Sequence, residues 1–318
     1  MKFHTRRKLL GLCLFSLTLI FAGCMDSEPE TVVQENGEVW PAVLKYAYTP
    51  SQENPEGRLA RFTELAAYLT EQIGVEVELI RSSSYGPTIE AMRADKVDIA
   101  SGGSFTYMIA HEKADAEAIA TRGTLSGERQ TYDSIIATSP KTGIKTIEEL
   151  IEGAENYSLA FTDAASTSGH LVPRGGLEGM GVVPEEAFKE VVFAQSHLNV
   201  VMATVAAKVD AGAMSGSTYD RFVREGRIQE DDLVVLWKSE EIPQSPIYVR
   251  RELPEGLKAA IRDAYVNMHV NDPDLMQSFR ERAMRPNLVY IPATDDMWDE
   301  LREVAYGLKS MKLLSGEK

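Results

Sequence analysis

From Val43 onward the apolar positions switch repeatedly between a period of two and a period near 3.6, which predicts alternating strands and helices. Val43 to Tyr48 reads as a strand closed by Thr49-Pro50. Leu59, Phe62, Leu65, Ala66, Leu69 and Ile73 recur at helical spacing until Gly74, and Val75, Val77 and Leu79 then alternate as a strand. A short helix through Ile89 and Met92 leads to a strand at 97–100, and Gly102-Gly103-Ser104 opens a helix over 105–114. Further strands are expected at 134–138, 158–161, 191–193, 209–213, 233–237 and 247–250, with helices between them. Thr146 with Glu149 has the spacing of a capping box. Helices are expected at 257–268, 273–283 and 295–309, the last with Thr294 as its N-cap.

This alternation implies an α/β fold whose parallel sheets are covered on both faces. No self-similar period marks a solenoid. About 270 residues of α/β exceed what one sheet usually organises, so two lobes are expected. The chain should cross between them twice, near 132–134 and 243–247. Lobe 1 would hold residues 41–132 plus 247–318, and lobe 2 residues 133–246. Ligands in such folds sit beyond the carboxyl ends of strands, near helix N-termini.

The amino-terminal segment is different in kind. Lys2, Arg6, Arg7 and Lys8 form a basic region, followed by an uncharged apolar run from Leu9 to Ala22. The run is short for a membrane span and closes on Phe21-Ala22-Gly23-Cys24, which resembles a bacterial lipobox. Residues 1–23 thus read as a lipoprotein signal peptide, with Cys24 lipidated. The two adjacent arginines also resemble a twin-arginine signal. Polar, acidic residues 24–40 read as a flexible tether. The protein would then work in the cell envelope, lipid-anchored and facing away from the cytoplasm.

Composition narrows the function. The 318 residues carry 33 Lys+Arg against 48 Asp+Glu, a formal charge of −15, and loss of the leader removes four positive charges, leaving −19. Such a balance disfavours nucleic acid as a partner. Cys13 and Cys24 are the two cysteines, both near the start, which excludes a disulfide framework or cysteine-ligated metal in the folded body. The four histidines after the leader lack metal-ligand spacing, so no metal or cofactor is expected.

The segment Asp163-Ala164-Ala165-Ser166-Thr167-Ser168-Gly169 lies between a strand and a helix. Three hydroxyls and a glycine at a helix N-terminus can aim O–H and N–H donors at one point, forming an anion cradle without Lys or Arg. The same residues also suit an ordinary Ser/Thr cap. The surroundings favour the cradle. STSGHLVP at 166–173, with YGPTIEAMRADKVDIA at 85–100, TYDSIIA at 131–137, SHLNVVMATVAAKVD at 196–210 and LWKSEEIPQSPIYVRR at 236–251, resembles the phosphonate/phosphite/phosphate-binding (PhnD-like) proteins of ABC transporters. The resemblance runs from about Leu44 to about Pro292.

That resemblance implies a two-lobed periplasmic-binding-protein fold of the type II kind, with the ligand in the interlobe cleft. It places oxyanion donors on Ser166, Thr167 and Ser168, two tyrosines on Tyr85 and Tyr132, and a histidine on His197. Ser104, at its glycine-rich helix start, is a further candidate donor from lobe 1. Relatives that bind an amino-alkyl phosphonate hold its ammonium on acidic residues, and those positions fall on Ser217 and Ser245 here. A buried ammonium would lack its ion pair. The expected ligand is therefore a small phosphorus oxyanion: phosphate, phosphite or a short alkyl phosphonate. The implied partners are that ligand and an ABC permease, with the protein acting as a monomer.

Two other readings differ in class or use. A phosphoester hydrolase with Ser168 as nucleophile and His197 as base would need an activated serine, yet no G-x-S-x-G surrounds these serines. A sensory binding protein would use the same site.

Overall fold

The computed structural model describes residues 31–48, 55–82 and 84–308. The expected signal peptide with Cys13, the expected lipidation site Cys24, the first part of the expected tether and residues 309–318 lie outside the described residues. A hairpin of β1 (Thr31–Val33) and β2 (Val39–Pro41) comes first. Next are β3 (Val43–Tyr48), α1 (Pro55–Ile73), β4 (Glu76–Arg81), α2 (Tyr85–Arg93), β5 (Ile99–Ser101), α3 (Ser104–Ala114) and β6 (Ala116–Gly123). β7 (Thr131–Tyr132) leads into β8 (Ser134–Thr138), α4 (Ile147–Glu152), β9 (Ser158–Phe161), α5 (Val172–Gly179), α6 (Pro184–Ala187), β10 (Glu190–Phe193), α7 (His197–Val205), β11 (Ala211–Ser215), α8 (Gly216–Arg224) and β12 (Val234–Lys238). β13 (Ile242–Pro243) leads back to β14 (Pro246–Arg250), α9 (Glu255–Asn271), α10 (Pro273–Ala283), β15 (Val289–Pro292) and α11 (Asp299–Gly307).

Two sheets build two lobes. One has six strands in the order β15-β6-β14-β5-β3-β4, the other five in the order β10-β9-β11-β8-β12. Between them β7 and β13 pair antiparallel, Tyr132 opposite Ile242, so both crossings of the chain run side by side. The sheets are mixed, which corrects the expectation of parallel ones. β3 is parallel to β4 and β5, and β9 to β10 and β11. β14 is antiparallel to β5 and β6, and β8 to β11 and β12. β15 is antiparallel to β6 and so runs with β14. β8 and β14 are each the first strand entered after a crossing. They arrive from the hinge without a helical crossover, and only that connection keeps neighbours parallel.

The helices form for the reasons read in the sequence. Thr146 Oγ1 accepts from the Glu149 N–H at 3.2 Å and caps α4. Thr294 makes no such side-chain bond, and a single 3₁₀ turn over Asp295–Trp298 precedes α11. Asp295 instead accepts from the Tyr107 hydroxyl at 2.7 Å. Residues 31–41 depart from the flexible tether. Val33 pairs with Val39, and Glu38 fixes the hairpin by accepting from Trp40 Nε1 at 2.9 Å and from the Gly256 N–H at 3.1 Å. Trp40 is thereby buried against α9.

Four apolar clusters hold the body. One of them crosses between the lobes: Ala165 and Leu171 pack with Phe105, Met108 and Trp298. Fully burying side chains of this size stabilises by about 1.5–3 kcal/mol each, so the lobes share a core beside the cradle segment.

Candidate functional site

The cradle is built by a change of helical pitch. Ser166 Oγ accepts from the Gly169 N–H at 3.1 Å, and the Leu171 N–H reaches the Ser166 carbonyl at 3.0 Å, an i→i+5 bond. A π-helical turn over Thr167–Leu171 thus precedes α5, and Pro173 sits in the first turn of α5, where its missing N–H costs nothing. Gly169 is required: a Cβ there would collide with Thr162 Oγ1. The wider turn leaves Ser166, Thr167 and Ser168 nearly enclosed at the end of β9 while still lining the cavity.

Lobe 1 meets this turn directly. The Phe105 N–H at the start of α3 donates to Thr167 Oγ1 at 2.8 Å, and Thr106 Oγ1 donates to the Ala165 carbonyl at 2.8 Å. A Cβ at Gly103 would come 2.8 Å from Thr167 Oγ1, which is why glycine stands there. The Asp163 carboxylate accepts from the backbone N–H groups of Ala165 and Tyr85, the second across the lobes. Burial raises its pKa, and those two donors offset part of the rise.

A cavity of about 290 Å³ opens between the lobes, at the low end of the ~300–1,000 Å³ usual for small-molecule sites. Eight of the nine residues singled out in the sequence are brought to it: Tyr85, Tyr132, Ser166, Thr167, Ser168, His197, Ser217 and Ser245 all line its wall. Ser104 is the exception. Its hydroxyl is fully buried and donates to the Pro243 carbonyl at 2.9 Å, so it ties α3 to the hinge strand β13 and does not face a ligand.

The donors are arranged by their neighbours. The Tyr132 hydroxyl hydrogen-bonds the Ser168 and Thr167 side chains, and burial raises its pKa, which keeps it a neutral phenol. Ser134 Oγ holds the Ser168 carbonyl at 2.7 Å, and Ser217 Oγ pairs with Ser215 Oγ at 2.7 Å. His197 begins α7, where Ser196 caps the helix by accepting from the Asn199 N–H at 3.2 Å. Its Nδ1 accepts from the Ser215 N–H at 3.1 Å. That bond assigns the ring proton to Nε2, so the imidazole is a neutral donor. His170, close in sequence to the cradle, is structural: Nδ1 donates to the Ala164 carbonyl, Arg174 Nε donates to Nε2, and burial pushes its pKa down to about 4.

One part of the wall differs from the expectation of purely neutral donors. Arg58, Arg61, Arg122 and Arg282 also line the cavity, all from lobe 1. No Asp or Glu stands among the described lining residues. Asp220 and Glu241 lie elsewhere; Glu241 accepts from Thr131 Oγ1 on an exposed edge of the hinge.

Comparison with known proteins adds family and fold. Residues 47–298 match the family described as the periplasmic substrate-binding protein of phosphonate ABC transporters. The phosphonates-binding periplasmic protein of Escherichia coli (strain K12) is 27% identical over 217 residues, 68% of this chain; the match spans 64% of that protein's length. The phosphate-import protein PhnD of Mycolicibacterium smegmatis is 25% identical over 313 residues, 91% of this chain and 92% of its own. Among solved structures, PhnD1 from Prochlorococcus marinus in complex with methylphosphonate superposes with a TM-score of 0.72 at 19% identity, covering 84% of this chain and 98% of that one. At that identity the likeness carries the fold.

Proposed function

The chain belongs to the periplasmic substrate-binding proteins of phosphonate ABC transporters, and from that premise we propose that it captures a small phosphorus oxyanion between its lobes and presents it to a membrane permease. The oxyanion is phosphate, phosphite or a short alkyl phosphonate. The observation that carries this reading is the convergence of Ser166, Thr167, Ser168, Tyr85, Tyr132 and His197 on one cavity. Hydroxyls at the start of a helix, a neutral phenol and an Nε2–H give short donors around a tetrahedral anion. The clamp follows from the placement. Tyr85 belongs to lobe 1, the cradle and His197 to lobe 2, and an anion touching both favours the closed state by its differential affinity.

The same geometry disfavours turnover. A general base at His197 would have to accept a proton from serine at Nε2, the nitrogen that the Ser215 bond leaves protonated. Ammonium-bearing ligands are disfavoured too, since Ser217 and Ser245 supply no carboxylate.

A thermal-shift series tests the reading. Phosphate, phosphite or methylphosphonate at a hundredfold excess over Kd should stabilise by about 2.7 kcal/mol, while 2-aminoethylphosphonate should give far less. No shift with any phosphorus oxyanion would contradict it.

The lipid anchor at Cys24 is part of the proposal. Since the hairpin begins at Thr31, residues 25–30 remain as the spacer, reaching about 20 Å when extended. Cys24→Ala should move the protein from the membrane fraction to the soluble one; retention at the membrane would count against the anchor.

A further inference from the structure

A tetrahedral oxyanion seated on the cradle accounts for the lobe 2 side of the cavity and leaves the opposite wall without a role. That wall is cationic by construction. Arg58 and Arg61 are three residues apart on α1 and share a face with Phe62 and Leu65, all four lining the cavity. Arg122 stands on β6 opposite Tyr290 of β15. Arg282 follows Phe279 by three residues on α10. The Arg58 guanidinium lies over the Phe62 ring, 5.1 Å from its centre. The Arg122 side chain makes no hydrogen bond or ion pair with any described residue, while its carbonyl accepts from the Gln130 N–H at 2.9 Å.

Size and lining agree. A tetrahedral oxyanion has five heavy atoms; five waters take roughly 150 Å³ at about 30 Å³ each. The cavity of about 290 Å³ has room beyond that. The lining includes four guanidinium groups and Phe62, Leu65 and Phe279, with no carboxylate among the described lining residues. Planar forks match a carboxylate or a second phosphoryl group, and the apolar side chains suit a short carbon stem.

We infer that the cleft is a two-ended site for a phosphorus oxyanion joined through a short carbon stem to a second anionic group. The phosphorus end sits on Ser166–Ser168 and the second anion on the arginine wall. This class deepens the proposed function and rests on it.

Calorimetric titration of the purified protein with methylphosphonate, phosphonoacetate and 2-aminoethylphosphonate tests the inference, using the wild type, Arg122→Gln and Arg61→Gln. Phosphonoacetate should bind at least about tenfold more tightly than methylphosphonate. Each substitution should reduce that ratio by about threefold or more, while methylphosphonate affinity moves by less than about threefold. Arg61→Gln, on a helix face, keeps the test informative if Arg122→Gln melts early. Tight methylphosphonate binding without a preference for phosphonoacetate, or a preference that survives both substitutions, overturns the inference and leaves the cradle reading standing. Binding of none of the three overturns the inference, and a further failure of phosphate and phosphite to bind overturns the cradle reading as well.

Discussion

The two walls of the cleft solve anion binding by opposite means. On lobe 2, Ser166, Thr167, Ser168 and His197 offer neutral donors held by local bonds, from the Ser166–Gly169 cap to the Ser215 N–H on His197. On lobe 1, Arg58, Arg61, Arg122 and Arg282 offer charge, carried by side chains from three separate elements. The difference matters because the protein as a whole is acidic, with a formal charge of −15. Neutral donors need contact and ignore the distant field, whereas guanidinium groups in a cleft reverse that field where it faces the ligand. The cradle should therefore set whether an oxyanion binds, and the arginine wall which one.

Removing one cradle hydroxyl is the strongest way to break this division. Ser168→Ala deletes a hydrogen bond to a charged group, which contributes about 1.5–3 kcal/mol, so affinity should fall about tenfold to a hundredfold. The loss should be equal for methylphosphonate and phosphonoacetate, since both place phosphorus there. Calorimetry that found one ligand spared would show that the walls do not divide the work in this way. The arginine substitutions described above come next in size and should act on the ratio between those ligands.

How far each wall could be read in the sequence follows from how it is built. The cradle is a contiguous segment after a strand, so local spacing and family likeness both reach it. The arginine wall is dispersed. The α1 periodicity was legible, yet Arg58 and Arg61 look like solvent-side residues until Phe62 and Leu65 are seen to face the cavity; Leu59, which fits the apolar pattern, is 49% exposed. Arg122 lies on β6, an Ala-rich strand buried on both faces that shows no alternation to detect. Ser104 misled for a related reason. Its helix start suits a ligand donor, but its hydroxyl is taken by Pro243, 139 residues away, and no local pattern carries such a contact. The antiparallel setting of β8 and β14 likewise depends on the crossings at the hinge and not on the strands' own residues.

The smallest effect sharpens the boundary between the walls. Tyr132 lies on hinge strand β7, and its hydroxyl meets Ser168 and Thr167, so it belongs with the cradle if chemistry outranks position. Tyr132→Phe removes neutral hydrogen bonds contributing about 0.5–1.5 kcal/mol, and both ligands should weaken equally, by about threefold to tenfold. A pH series on the unliganded protein separates this contact from simple packing. Burial raises the folded-state pKa above the ordinary value of 10.0, so the folded state keeps its proton where the unfolded state loses it. Stability from this group is complete below pH 10 and falls as pH climbs toward the folded-state value. The wild type should thus lose its advantage over Tyr132→Phe progressively above pH 10. A gap between the two melting curves that stays constant through that range would mean that the phenol is not shielded, and would move Tyr132 from the cradle to the open hinge.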